Sequence, residues 1–362
     1  MKKHRYPGCA WQIILAFTLI MVLSAACAPQ SPTPTPTIPP TETPEDVPTP
    51  FQTPTPRPSP TPTLPPLGSE GNPITIGFIP PLNDLGSNAV EELVSSIIAE
   101  TDYAIEAFFY PDFQTLSSAI LNREVHLFWL RPFEYLYLSQ EGAAEVMLMT
   151  NHLGVFAYGV QFMAHINRGF TPYFDTETGQ NVGEPIEALQ QFSGTRPCFI
   201  DPKSIPGYFT PLGLLANAST PTLPPVFTYS YNATIRALYI RGICDFGVSY
   251  ALTGDPLTSS DIMQNLPDAQ EQIIVIWQSD GIIPNHNLSA SPTLPVFIRF
   301  RLEEALLRIA DSPQGLNLIS TALGFDVEAL RSVEDHFYNP LRNTIAPLEL
   351  DFETIIFQST QQ

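Results

Sequence analysis

The residues best placed to do chemistry lie in one stretch, Asp201-Pro-Lys-Ser-Ile-Pro-Gly-Tyr-Phe-Thr-Pro-Leu-Gly-Leu-Leu215. The apolar run Pro197 to Ile200 predicts a buried strand closing at Asp201. Ser204 then stands where a helix N-cap belongs, with Pro206 in the first turn and an apolar face from Tyr208 to Leu215. A strand that empties through Ser204 and Gly207 into a helix presents a hydroxyl and backbone N–H groups at the carboxyl edge of a sheet. Open α/β sheets hold ligands there, anions in particular. An ordinary capped helix satisfies the same pattern, and this stretch alone does not separate the two.

Catalytic signatures are missing from the sequence. It holds no Gly-x-Ser-x-Gly elbow, no His-Glu-x-x-His, no phosphate-binding P-loop and no Cys/His cluster with metal spacing, and its six histidines are scattered. The expectation is a binding protein, not an enzyme, with neither metal nor cofactor. The chain carries 16 basic and 36 acidic residues. That balance argues against nucleic acid and against a basic membrane-binding face.

The elements that would position a site begin after two segments that build no fold. Lys2, Lys3 and Arg5 precede an apolar core, Ile13 to Leu23, which ends at Leu23-Ser-Ala-Ala-Cys27. This resembles the lipobox of bacterial lipoproteins and implies lipidation of Cys27, although Ser24 replaces the commoner leucine. A plain secretory peptide or a signal anchor shares the apolar core, but the run is short for a spanning helix, which needs about 20 residues. Pro29 to Pro66 follows, with 16 of the chain's 39 prolines in 38 residues, mostly alternating with threonine. Such a segment samples extended polyproline II and packs no core. At ~3.1 Å per residue it would reach on the order of 100 Å from the anchor.

Two similar halves follow. Pro73–Ile79 predicts a strand. Val90, Leu93, Val94, Ile97 and Ile98 mark an amphipathic helix, Tyr103–Phe109 a strand, Phe113–Asn122 a helix, and Val125–Leu130 a third strand. The plan repeats as Pro197–Ile200, Pro225–Tyr229, a helix from Ala233 to Ile240, and Cys244–Tyr250. Two α/β lobes with parallel-type sheets put a cleft between their strand ends. Helices Phe297–Ala310 and Gly315–Leu323 buttress one lobe. With Cys9 in the leader and Cys27 carrying lipid, Cys198 and Cys244 remain as a candidate disulfide or as two buried small side chains.

From about Pro73 onward the chain resembles the substrate-binding proteins of phosphate, phosphite and phosphonate ABC importers. Five segments carry the likeness: Asp201–Tyr208, Arg131-Pro-Phe-Glu-Tyr135, Ser230-Tyr-Asn-Ala233 with Gly242-Ile-Cys-Asp245, Ser279–Asn285, and Tyr338-Asn-Pro-Leu-Arg342. The resemblance implies a two-lobed type II periplasmic-binding-protein fold. It would divide as signal peptide 1–26, anchored linker 27–70, first lobe 71–158 with 286–362, and second lobe 159–285. Segments near Gly154–Gln161 and Gly281–Leu288 would be the hinges. The implied protein is a monomer, lipid-anchored outside the cytoplasm, that closes on a small molecule and presents it to an ABC permease. A sensor or surface lipoprotein without transport uses the same fold and stays open as the alternative, as does a collapsed cleft that serves protein contacts.

Departures from the family pattern bear on the ligand. The family's Ser-Thr-Ser run stands here as Ser204-Ile205-Pro206, its anion-facing histidine as Tyr231, and a tyrosine at the second helix as Phe113. Losing such donors from a buried anion site costs heavily, at roughly 1.5–3 kcal/mol for each charge-assisted bond. The ligand-binding candidates are Phe113, Arg131, Tyr135, Ser204, Gly207, Tyr208 and Tyr231. Their aromatic character, with Trp129, suits a flatter and less charged ligand than a phosphonate. Arg131 is either a ligand clamp or a surface partner of Glu134.

Overall fold

A computed structural model describes residues 64–81, 83–251 and 260–357, all within one compact unit from Pro62 to Gln362. The expected signal peptide, Cys27 and most of the proline-rich linker lie outside the described residues. The first half runs β1 (Ile74–Phe78), α1 (Asp84–Thr101), β2 (Ile105–Phe109), α2 (Phe113–Leu121), β3 (Leu127–Leu130), α3 (Pro132–Gln140) and β4 (Glu145–Asn151). The chain then enters the other lobe through β5 (Ala157–His165), a small hairpin of β6 (Phe174–Asp175) and β7 (Gln180–Asn181), α4 (Pro185–Gln190) and β8 (Pro197–Phe199). A wide π-type turn, Ile205–Phe209, leads into α5 (Thr210–Asn217). Next come β9 (Val226–Phe227), α6 (Tyr231–Ile240), β10 (Phe246–Ala251), α7 (Ser260–Asn265), α8 (Ala269–Gln272), β11 (Ile273–Gln278) and β12 (Ile283–Pro284). The chain returns through β13 (Asn287–Ala290), α9 (Val296–Ala310), α10 (Pro313–Leu323) and β14 (Ala329–Ser332), and ends in α11 (Asn339–Ile345) and α12 (Phe352–Phe357).

Among the described residues the strands form two mixed sheets. The first has the order β14-β4-β13-β3-β1-β2 and the second β11-β5-β10-β8-β9, with β12 beside β5. Only β2-β1-β3 and β10-β8-β9 are parallel. The parallel-type sheets expected from the βαβ pattern are thus half antiparallel. The strands added at each crossing come from the other lobe and not from a covering helix, so no right-handed crossover constrains their direction.

Local chemistry explains the individual elements. Asn83 caps α1, its Oδ1 accepting the Gly86 N–H at 2.8 Å. Val90, Leu93, Val94 and Ile97 form the buried stripe of that helix, and each contributes about 1.5–3 kcal/mol by leaving water. Asp112 caps α2 through the Thr115 N–H. Cys198 and Cys244 form a disulfide, with Cα atoms 5.6 Å apart, beside the parallel pairing of β8 and β10.

The lobes are joined by three passages. Residues 152–156 link β4 to β5, and residues 285–286 link β12 to β13. These two passages are tied together where Asn285 Nδ2 donates to Val155 O at 2.7 Å and to Thr150 O at 3.2 Å. The third, residues 333–338, leaves the first sheet after β14 and delivers α11 to α5 of the second lobe. There Asn217 Nδ2 donates to Thr344 O at 2.9 Å. The Arg331 guanidinium lies over the rings of both Phe156 and Phe337, at 4.2 and 5.1 Å, and so braces two of the passages. Behind the cleft Phe133 of α3 meets Phe209 of the π-type turn at 5.4 Å.

Two boundaries move as a result. The expected first lobe 286–362 gives up α11, which packs on the second lobe's α5. The expected linker 27–70 is also too long. Ala104 N–H bonds to Gly68 O, Ser69 bridges Asn72, and Leu67 packs on the first lobe's core, so the folded part already includes residues 64–70.

Candidate functional site

A cavity of about 490 Å³ opens where the two lobes face each other. The first lobe contributes Arg131, His152, His286 and Phe325. The second contributes Tyr158, Tyr231 and Tyr250, with Ile205 and Pro206 from the π-type turn. Each wall follows from an element's end: Arg131 starts α3, His286 and Tyr158 sit at the crossings, Tyr231 opens α6 and Tyr250 closes β10.

The first-lobe wall is a cluster of three tilted rings. Phe325 lies between His152 and His286, with ring centroids at 4.4 and 4.3 Å. His152 Nδ1 is 2.9 Å from the Asp326 carbonyl. Burial, reinforced by the Arg131 charge and by His152, holds the His286 imidazole down at about 4, so it is neutral near pH 7. Facing it, Tyr231 and Tyr250 meet edge to face at 4.7 Å. Burial pushes the Tyr231 phenol up to about 12, against the opposing effect of the Ser204 hydroxyl, and burial also raises Tyr158. Both tyrosines are therefore neutral hydroxyls. Among the described residues Arg131 brings the permanent charge of this lining, and its side chain is 72 % exposed. A smaller chamber of about 350 Å³ shares Arg131 and His286 with the main cavity and runs back to Phe113, Trp129, Asp112 and Glu134.

The candidates from the sequence separate on this geometry. Arg131 and Tyr231 line the main cavity, and Phe113 lines the side chamber, stacked on Phe357 at 5.9 Å. Arg131 also reaches Glu134, Nε to Oε1 at 3.9 Å, while its backbone N–H donates to the same carboxylate at 2.7 Å. Tyr135, Ser204, Gly207 and Tyr208 do not line the main cavity, contrary to expectation. Tyr135 is 1 % exposed, tilted against Tyr338 at 4.2 Å, and its hydroxyl donates to Asp335 at 2.7 Å. Ser204 Oγ accepts the Gly207 N–H at 3.0 Å, so that N–H is taken within the loop, while the Ser204 hydroxyl reaches Tyr231 of the cavity wall. Gly207 lies so close to Ile200 that an added Cβ would sit 2.4 Å from its side chain, which makes the glycine a packing requirement. Tyr208 packs edge-on against Phe199 and Phe227.

Five lining residues escaped the sequence reading: His152, Tyr158, Tyr250, His286 and Phe325. His286 directly follows Asn285, the last residue of a family-like segment, and Tyr250 ends a strand that the sequence does mark. Phe325 follows the left-handed Gly324 that caps α10, and nothing in its neighbourhood signals a ligand. Among the described residues no group of three or more His, Cys, Asp and Glu could hold a metal ion, and no helix is long and apolar enough to cross a membrane.

The family model described as the periplasmic substrate-binding protein of a phosphonate ABC transporter matches residues 76–338. The chain belongs to the phosphonate-binding family. Members of this family are extracytoplasmic, take a small-molecule ligand and serve an ABC permease, and the two-lobed fold of this member agrees. No curated protein matches it in sequence. Among solved structures it is similar to XAC2383 from Xanthomonas citri bound to chloride, at 16 % identity and a TM-score of 0.50, covering 76 % of this chain and 97 % of that one. The same protein bound to ATP matches at 15 % identity and a TM-score of 0.50, covering 80 % and 99 %. PhnD1 from Prochlorococcus marinus with methylphosphonate matches at 13 % identity and a TM-score of 0.45, covering 76 % and 98 %. These likenesses concern the fold.

Proposed function

We propose that this protein is a monomeric, lipid-anchored solute receptor that holds a small organic molecule between its lobes and delivers it to an ABC permease. Cys27 is the anchor. The passages at 152–156 and 285–286 are the hinge about which the lobes close. The observation that carries the reading is the cavity lined from both lobes, because a ligand touching both walls stabilises the closed form by whatever affinity it gains there. Phosphonate itself is a poor fit. Pro206 has no N–H, the Gly207 N–H is taken by Ser204, and among the described residues Arg131 is left as the permanent cation.

The experiment is a thermal-shift screen of the full chain in mild detergent. The panel holds phosphate, phosphite, alkylphosphonates and small organic acids and neutral heteroaromatics. A ligand at a hundred times its dissociation constant stabilises by about 2.7 kcal/mol. The shift is expected to vanish in Ile205→Trp, which fills the cavity from the second lobe. A ligand-induced shift that survives Ile205→Trp would refute this location. For the anchor, Cys27→Ala is expected to move the protein from the membrane fraction to the soluble one.

A further inference from the structure

We infer that the ligand is a planar aromatic anion, its ring held between the Phe325–His286 wall and the Tyr231–Tyr250 wall and its negative group on Arg131. The inference deepens the solute-receptor reading and rests on it. Two facing aromatic walls, one from each lobe, leave a flat body as the shape that touches both when the lobes close. Offset and edge-on aromatic contacts favour a ring over an alkyl chain of equal size. Phe325 is already held by its two histidine neighbours at 4.3 and 4.4 Å, so this wall is preorganised.

Charge settles the rest. Among the described residues no carboxylate lines the main cavity, whereas Arg131 offers a planar fork suited to a carboxylate, sulfonate or phosphate. Burial keeps three of the other titratable groups facing the ligand neutral: His286 and the phenols of Tyr158 and Tyr231. They stack or donate a hydrogen bond without adding charge. Asp112 and Glu134 stand behind Arg131 in the side chamber, where they reinforce the exclusion of a second negative group.

The test uses isothermal titration of the full chain with matched pairs of planar compounds: nicotinate and nicotinamide, indole-3-acetate and indole-3-acetamide, AMP and adenosine. Methylphosphonate and ethylphosphonate are the aliphatic controls. At least one planar anion is expected to bind, with its neutral partner about tenfold weaker, as loss of a charge-assisted bond predicts. Arg131→Gln is expected to erase that difference. Phe325→Leu should weaken both members of the pair, and Phe325→Tyr should restore them, which separates stacking from a folding defect. The inference is overturned if an aliphatic phosphonate binds as tightly as any planar anion, or if Arg131→Gln leaves the anion and neutral partners as far apart as before. Binding by aliphatic anions alone sinks the aromatic class and spares the solute-receptor reading. Binding by no probe sinks both.

Discussion

Gly213 provides a sharp test of how the second lobe is held to the C-terminal segment. It lies inside α5, where alanine is the better helix former by about 1 kcal/mol, so on propensity alone Gly213→Ala would stabilise. The structure reverses that sign. An added Cβ would stand 2.3 Å from Thr344 O, 3.0 Å from its carbonyl carbon and 3.3 Å from Ile345 Cα, all of them backbone atoms of α11. Backbone cannot swing aside as a side chain does, so α11 must retreat by roughly an ångström to restore ordinary contact distances. Overpacking of this kind costs about 1–3 kcal/mol. The retreat also breaks the Asn217 Nδ2 bond to Thr344 O, worth about 0.5–1.5 kcal/mol. The net loss is about 1–3 kcal/mol, a fall in Tm of about 2–5 °C for a domain of this size. Thermal melts followed by circular dichroism would measure it, with Asn217→Ala as the companion that removes the hydrogen bond without the clash. An unchanged or raised Tm in Gly213→Ala would show that α11 yields freely and that the close approach holds nothing.

Three further outcomes follow from the same geometry. His286 refuses the proton that an unfolded histidine accepts near pH 6.5, so the unfolded chain binds more protons below that pH and stability falls between pH 6.5 and about 4. The difference is about 3 kcal/mol, and urea titrations across that range should show a shallower pH dependence in His286→Phe; equal slopes would contradict the burial argument. Reducing the Cys198–Cys244 disulfide frees a closed loop spanning 46 residues, which lowers stability by about 4 kcal/mol on chain entropy; an unmoved urea midpoint in dithiothreitol would count against it. Tyr135→Phe removes one bond to Asp335 and should cost about 1 kcal/mol of stability, with ligand affinity unchanged. A large loss of affinity would return Tyr135 to the ligand site.

Much of the architecture was legible because burial writes itself periodically. Val90, Leu93, Val94 and Ile97 recur at helical spacing, and the runs around β1, β3 and β10 are mostly apolar because these strands are largely buried on both faces. The antiparallel strands were not legible. Met147 and Leu148 of β4 face the core as fully as any parallel strand does, and nothing local records that their neighbour β13 comes from far along the chain. The site was harder still. The family-like segments turn out to do structural work: Ser230 caps α6 through the Ala233 N–H, Asn285 ties the crossings, and Tyr338 Oη accepts from Asn287 Nδ2 inside the core. Motif similarity therefore located parts of the frame, and it promoted Tyr135, Gly207 and Tyr208, whose packing is what the pattern requires. His286 and Phe325 acquire meaning only when the lobes bring them together.

The position of β13 also sets an order of assembly. The second lobe's strands, β5 to β12, are continuous in sequence, whereas β13 fills the middle of the first sheet between β3 and β4. Its Asn287 side chain reaches Leu130 O, 157 residues earlier. A chain emerging from its N-terminus can complete the second lobe first. Meanwhile β3 and β4 wait with their facing edges unpaired, a standing invitation to the wrong strand. Synthesis of this protein thus leaves its first-made half to be finished last, and the slow, aggregation-exposed step belongs to the lobe that holds its first strands.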